Sequence, residues 1–179
     1  MNSFQKQLES YHPSDLHEIR FRRSMIQFLE HNKEAAFHRS TKSAHFTASA
    51  WVLNQAKTAV LLIKHAKLNK WLQPGGHADG ETDLLMVAQK EVREETGLDN
   101  ITLANKNIFD IDIHSIPKSS AGEAAHEHYD VRYAFICTDN AEVLINHEST
   151  AFRWIQLQDM SKFTNNSSIL RMANKSSNL

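Results

Sequence analysis

GGHADGETDLLMVAQKEVREETGL, residues 75–98, is a glycine-rich loop running straight into a helix. Thr82 or Asp83 can accept the free N–H groups of a first helical turn, and Gly97 stands where a left-handed stop is expected. Between them Leu85, Ala88 and Val92 recur at i, i+3 and i+7, the spacing of one buried stripe. A helix is therefore predicted over 83–96. Four of the five glycines of this 179-residue chain, Gly75, Gly76, Gly80 and Gly97, fall in this window, so backbone freedom is concentrated here.

Glu91, Glu94 and Glu95 share one face of that helix. Like charges at these spacings repel, and the negative end of the helix macrodipole disfavours acids in the last turns. Lys90 and Arg93 are neighbours in sequence, but neither gives a Glu-to-Lys i+4 pair on the shared face. The simplest compensation is a divalent cation, and carboxylate oxygens without a soft ligand suit Mg²⁺ or Mn²⁺. Gly75 and Gly76 let the backbone approach a phosphate or a metal, and a loop carbonyl can complete the ion's shell. Loop and helix together read as a diphosphate site.

Outward from the loop, the pattern alternates between strand and helix. Residues 1–40 have helical spacing, with Ser14 and Asp15 as cap candidates and Leu16, Ile19, Ile26 and Leu29 as the apolar positions, and are read as an arm on a main domain over 41–179. Period-two alternation over 44–52 and an apolar run over 58–65 predict a hairpin. Strands are expected at 108–113, 129–137 and 152–155, and a short helix at 168–173 before a fraying tail. On 129–137 the face carrying His128, Asp130 and Arg132 reads as too polar for a core.

Composition narrows the function classes. Hydrophobic residues at 41% and charged residues at 23% fit a globular protein. The formal charge of -1, from 20 Lys+Arg against 21 Asp+Glu, supplies no field for nucleic acid or anionic lipid. With no apolar run near the membrane-spanning length of about 20 residues and no apolar start, a cytoplasmic location without a membrane partner is expected. Cys137, the single cysteine, excludes an internal disulfide and a cysteine-based zinc site.

The stretch 75–98 resembles the Nudix box, Gly-x5-Glu-x7-Arg-Glu-U-x-Glu-Glu-x-Gly-U with U aliphatic, and the similarity extends over roughly 44–160, through ESTAFRWIQLQDM. It implies an α+β fold, a Nudix-type α/β/α sandwich with a mixed sheet, here preceded by the helical arm. It also implies a hydrolase cleaving a diphosphate bond in a nucleoside diphosphate derivative, a small-molecule substrate, and possible homodimerisation. The implied metal ligands are Glu91, Glu94, Glu95 and the Gly76 carbonyl. Glu94, with Glu91, is the box candidate for general base, ahead of the loop candidates Glu123 and Glu127. Lys90 replaces the motif's arginine, and Glu81 lies one residue farther from Lys90 than the pattern requires, so either Glu81 is displaced or the helix start carries a bulge.

Eleven histidines remain. His12, His17, His31, His114 and His147 are expected in ordinary surface or core roles. His38, His45, His77, His126 and His128 would converge in such a fold, as a second metal site suiting a transition metal or as phosphate contacts beside Arg132. Their layout is similar to that of the isopentenyl-diphosphate isomerases, whose catalytic cysteine would correspond to Gly75 here. Two alternatives therefore stand beside the hydrolase: an isomerase-like enzyme, which would lack its acid, and a non-catalytic nucleotide-binding module, which an intact carboxylate trio argues against. Trp51, Trp71 and Tyr129 are of a type that stacks on bases, but core or rim roles are the expectation for them.

Overall fold

A computed structural model describes residues 3–13, 15–118, 124–138 and 142–179. The arm forms α1 (Ser3–Ser10) and α2 (Leu16–Asn32), followed by a 3-10 turn over Lys33–Phe37. Then come β1 (Ala44–Leu53), β2 (Ala59–His65), β3 (Trp71–Leu72), β4 (Gly75–His77) and α3 (Leu84–Thr96). The chain continues through β5 (Ile101–Leu103), β6 (Asp110–Ile116), β7 (His126–Cys137), β8 (Ser149–Gln156) and α4 (Ser167–Lys175).

One mixed sheet organises these elements, in the order β3-β2-β1-β7-β5, with β4 on β1, β6 on β7 and β8 on β2. β1 is its axis. It runs parallel to β7 from Ala44↔Glu127 to Leu53↔Ile136, and antiparallel to β4 at Thr47↔His77, Ala48↔Gly76 and Ser49↔Gly75. The expected hairpin is present, closing at Leu53↔Val60. Alternation along β1 sends Phe46, Ala48, Ala50 and Val52 into a core shared with α1, α2 and α3. Trp51 and Leu53 enter a second core with Ile169 and Met172 of α4. Helices thus cover both faces, giving the α/β/α layering. Among the described residues no helix is long and apolar enough to cross a membrane.

Several expectations shift. The glycine-rich loop opens with the short strand β4, and β3 stands just before it. β5 went unpredicted because three residues carry too little periodicity. In α2 the buried positions are Glu18, Met25 and Leu29, while Leu16 is 73% exposed. The helix is rotated because Glu18 is drawn inward by Tyr11 and by Lys175 of α4. Asp15 is the N-cap, accepting from the His17 and Glu18 N–H groups; Ser14 lies outside the described residues. The C-terminal segment is anchored rather than frayed, since Trp51 Nε1 donates to Ser176 Oγ at 2.8 Å. The β7 face judged too polar for a core is buried at Asp130 and Arg132, beneath the basic side chains of α4.

Candidate active site

Asp83 caps α3 by accepting the Leu85 and Met86 N–H groups, and Gly97 closes it at φ 67°. The helix runs without a bulge, so the extra box residue is taken up ahead of it. There Glu81 is exposed on the loop and accepts the Asp83 N–H at 2.8 Å. Leu84, Val87, Ala88 and Val92 press on the sheet, which aims the acid face along β4. Glu95 Oε2 accepts the Gly75 N–H at 2.9 Å. A Cβ on Gly76 would lie 2.5 Å from the Glu91 carboxylate, so this glycine is what admits Glu91 to the strand.

Burial, then the neighbouring Glu94 carboxylate, pushes Glu91 up to about 7. Burial likewise raises Glu95 to about 7, with the Gly75 N–H opposing and Glu91, Glu148 and Glu94 reinforcing. Lys90 acts on Glu91 from a distance and pairs with the exposed Glu94 at 3.5 Å. Carboxylates crowded together and partly withdrawn from water until they resist ionisation are the arrangement a divalent cation relieves, and their all-oxygen donor set fits Mg²⁺ or Mn²⁺. The Gly76→Ala variant is expected to fold, because Glu91 can swing aside, and to bind Mg²⁺ at least about tenfold more weakly by calorimetry, the scale of losing one well-placed supporting contact.

Glu148 was missed from sequence. It stands just before β8 and acts electrostatically on both Glu91 and Glu95. A lone acid between a histidine and a serine has no periodic signal; its only mark was its place before the last strand. Of the loop base candidates, Glu127 sits on β7 opposite Ala44, and Glu123 lies outside the described residues.

The histidines gather on the opposite side of β4. Donor atoms of His45, His77 and His128 all lie within 4.8 Å of one another. His126 stacks on His45 at 4.9 Å between ring centroids, and His114, expected in an ordinary surface or core role, lies 5.5 Å from His128. His38 is not among them; its imidazole is set against the Gly80 backbone. His126 Nδ1 faces the Ala124 carbonyl at 2.9 Å and must carry the proton, so in neutral rings its Nε2 accepts from His128 Nε2 at 3.1 Å. That leaves Nδ1 as the lone-pair atom of His128. His45 is 1% exposed, and neither ring nitrogen has a hydrogen-bond partner of normal geometry. Burial and the neighbouring imidazoles depress His45 to about 4 and His128 to about 2. Neutral rings whose donor atoms lie this close together fit a transition metal.

Arg132, expected at a substrate phosphate, requires correction. Its side chain is 3% exposed and bonds Asp130 at 2.7 Å, Asp110 at 3.1 Å and Asp112 at 3.3 Å. Strand parity puts it on the histidine face, but α4 closes over that part of the face.

The family model for the NUDIX domain matches residues 43–173. The chain belongs to the Nudix family. Its Nudix fold is similar to that of a C. elegans Ap4A hydrolase in a binary complex, at 17% identity and TM-score 0.60, covering 74% of this chain and 95% of that one. An E. coli dihydroneopterin triphosphate pyrophosphohydrolase aligns at 14% identity and TM-score 0.59, covering 75% and 96%. A MutT protein from Methanosarcina mazei Go1 aligns at 18% identity and TM-score 0.58, covering 77% and 96%. No curated protein matches. Box, fold and matched span together make this chain a Nudix hydrolase by family.

Proposed function

We propose that this Nudix protein hydrolyses a diphosphate bond in a nucleoside diphosphate derivative, using Mg²⁺ or Mn²⁺ held by Glu91, Glu94, Glu95 and the Gly76 carbonyl. The observation that carries this reading is the pair of carboxylates, half-buried Glu91 and buried Glu95, packed on the Gly75–Gly76 strand with both acids raised to about 7. When bound, the cation neutralises charge developing on the phosphate oxygens and polarises phosphorus. Within the protein, the Gly75 N–H fixes the Glu95 carboxylate, Gly76 leaves room for Glu91, and Glu94 at the exposed rim accepts the proton of the attacking water. Glu148 adds negative charge that acts on both Glu91 and Glu95. A water oxygen bonds to phosphorus as the bridging P–O bond breaks, and the proton leaves through Glu94. The names of two structural neighbours, an Ap4A hydrolase and a pyrophosphohydrolase, fit this chemistry.

Phosphate release from nucleotide sugars, dinucleoside polyphosphates and nucleoside triphosphates, coupled to phosphatase, tests the proposal. Hydrolysis of at least one class with Mg²⁺ and none in EDTA is expected. No turnover of any class would overturn it. The isomerase-like alternative is disfavoured by packing: any side chain at Gly75 would meet the Ala48 carbonyl and Ser49 Cα, each 2.9 Å from a Cβ there.

The same proposal includes a second, transition-metal site at His45, His77 and His128, flanked by His126. Protein purified without a histidine tag is expected to carry about one equivalent of Zn²⁺, Mn²⁺ or Fe²⁺ by mass spectrometry, and His77→Ala to carry none. Metal-free wild type that also fails to take up added Zn²⁺ would exclude the site.

A further inference from the structure

Among the histidines gathered beside β4, His126 stands apart, because it lies in the cluster without belonging to the trio whose donor atoms approach one another. β7 carries it two residues before His128 on the same face of the sheet, buried, with its ring stacked on that of His45. Both of its ring nitrogens are committed. Nδ1 lies 2.9 Å from the Ala124 carbonyl oxygen, and Nε2 lies 3.1 Å from His128 Nε2. A carbonyl oxygen can only accept, so the neutral ring carries its proton on Nδ1 and keeps its lone pair on Nε2, where it accepts the His128 Nε2–H.

This decides what the neighbouring ring can offer. A metal ligand must present an unprotonated nitrogen, and which nitrogen a histidine presents is set by the bond that its other nitrogen makes. Held by His126, His128 keeps its proton on Nε2 and has its lone pair on Nδ1 free for an ion. A metal-binding imidazole steadied through its far N–H by an acceptor is a recurring arrangement, and losing the outer partner costs about 10–100-fold in affinity or activity. Here the outer partner is a second imidazole, itself anchored by the Ala124 carbonyl. Every group in that relay is neutral, so it orients the ligand without adding a charge.

His45 is the contrasting case. It is buried, and neither of its ring nitrogens has a hydrogen-bond partner of normal geometry, so its lone pair is uncommitted. The lone pair of His126 is already used. Within one stacked pair of rings, the hydrogen bonds thus separate a ligand from its support.

We infer that His126 is a positioning residue of the histidine site: it holds His128 with the proton on Nε2, so that His128 meets the ion through Nδ1, and itself stays outside the ion's shell. The inference rests on the transition-metal site proposed above at His45, His77 and His128. Long-range proton–nitrogen correlation spectra of the full chain without a histidine tag, before and after one equivalent of Zn²⁺ and with Mg²⁺ present to fill the carboxylate site, test it. Before Zn²⁺, His126 is expected in the Nδ1–H form and His128 in the Nε2–H form. With Zn²⁺ the His128 Nδ1 signal should shift, while the His128 Nε2–H and the His126 Nδ1–H persist. By calorimetry His126→Ala is expected to bind Zn²⁺ about 10–100-fold more weakly than wild type, and His126→Gln, whose side-chain carbonyl can accept the His128 Nε2–H, to recover most of the loss. Zn²⁺ bonded to His126 Nε2 or to His128 Nε2, or an affinity indifferent to His126→Ala, would overturn the inference while leaving the metal site standing. Wild type that takes up no Zn²⁺ would remove the site and the inference with it. Should His126→Ala fail to fold, the wild-type spectra still decide, since they need no variant.

Discussion

Replacing Glu95 by Gln is expected to lower kcat about a thousandfold, a loss of about 4 kcal/mol of transition-state stabilisation, while the protein stays folded. Glutamine keeps the shape and can still accept the Gly75 N–H, which in the wild type bonds Glu95 Oε2 at 2.9 Å. What it removes is one negative charge from the cation site. The same charge makes the metal-free protein less stable, and the sign follows from its titration. The Glu95 carboxyl titrates near 4.5 when unfolded and is raised to about 7 in the fold by burial, so ionisation opposes folding above that range. Metal-free Glu95→Gln should therefore melt higher than wild type at pH 8, and the gap should close as pH falls through 7 toward 4.5. Adding Mg²⁺ at pH 8 should raise the melting temperature of wild type more than that of the variant, because the ion takes up the charge that glutamine lacks. Thermal unfolding at pH 8 and pH 5.5, with EDTA and with Mg²⁺, checks the stability half, and phosphate release checks kcat. Full activity in Glu95→Gln would remove Glu95 from the site.

The acid helix was legible because its chemistry is local. Cap, stripe, stop and the three glutamates all fall within sixteen residues, Asp83 to Leu98, and helical geometry alone places the acids together. The convergence of His45, His77 and His128 was legible only through a fold, since they come from three strands whose adjacency no spacing reveals. His114 was lost for that reason: it comes beside His128 through antiparallel β6, at the pair His114↔His128. Glu148 was lost because electrostatic reach across a loop leaves no pattern in the chain. Arg132 was misread by a different route. Alternation assigned it to a polar face, and a polar face suggested solvent or phosphate, but the aspartates that neutralise it sit on β6 and on β7 itself, and the helix that covers it lies about forty residues later at Arg171 and Lys175. Polarity of a strand face reports exposure only when no later element carries the opposite charges back onto it.

That buried network predicts the second large effect. Arg132→Met is expected to destabilise the protein by about 3–5 kcal/mol, because it preserves the stem's volume and leaves buried aspartates without their shared cation. Burial alone would discharge Arg132; Asp130, Asp112 and Asp110 outweigh it and hold the guanidinium charged. Asp130 would keep the Ser49 hydroxyl at 2.8 Å and Thr47 at 3.0 Å, and Asp110 would keep Arg171 at 2.8 Å, which places the loss toward the lower part of that range. For a chain of this length the melting temperature should fall on the order of 10 °C. The second change Asp130→Asn should return part of it, since it discharges the carboxylate that Arg132 bonds most closely, at 2.7 Å. Kinetics separate this account from a phosphate contact. If Arg132 acts only inside the fold, the folded fraction of Arg132→Met keeps its KM for the hydrolysed nucleotide below the melting transition. A tenfold or greater rise in KM with an unchanged melting temperature would instead put the guanidinium on the substrate, which its burial beneath α4 argues against.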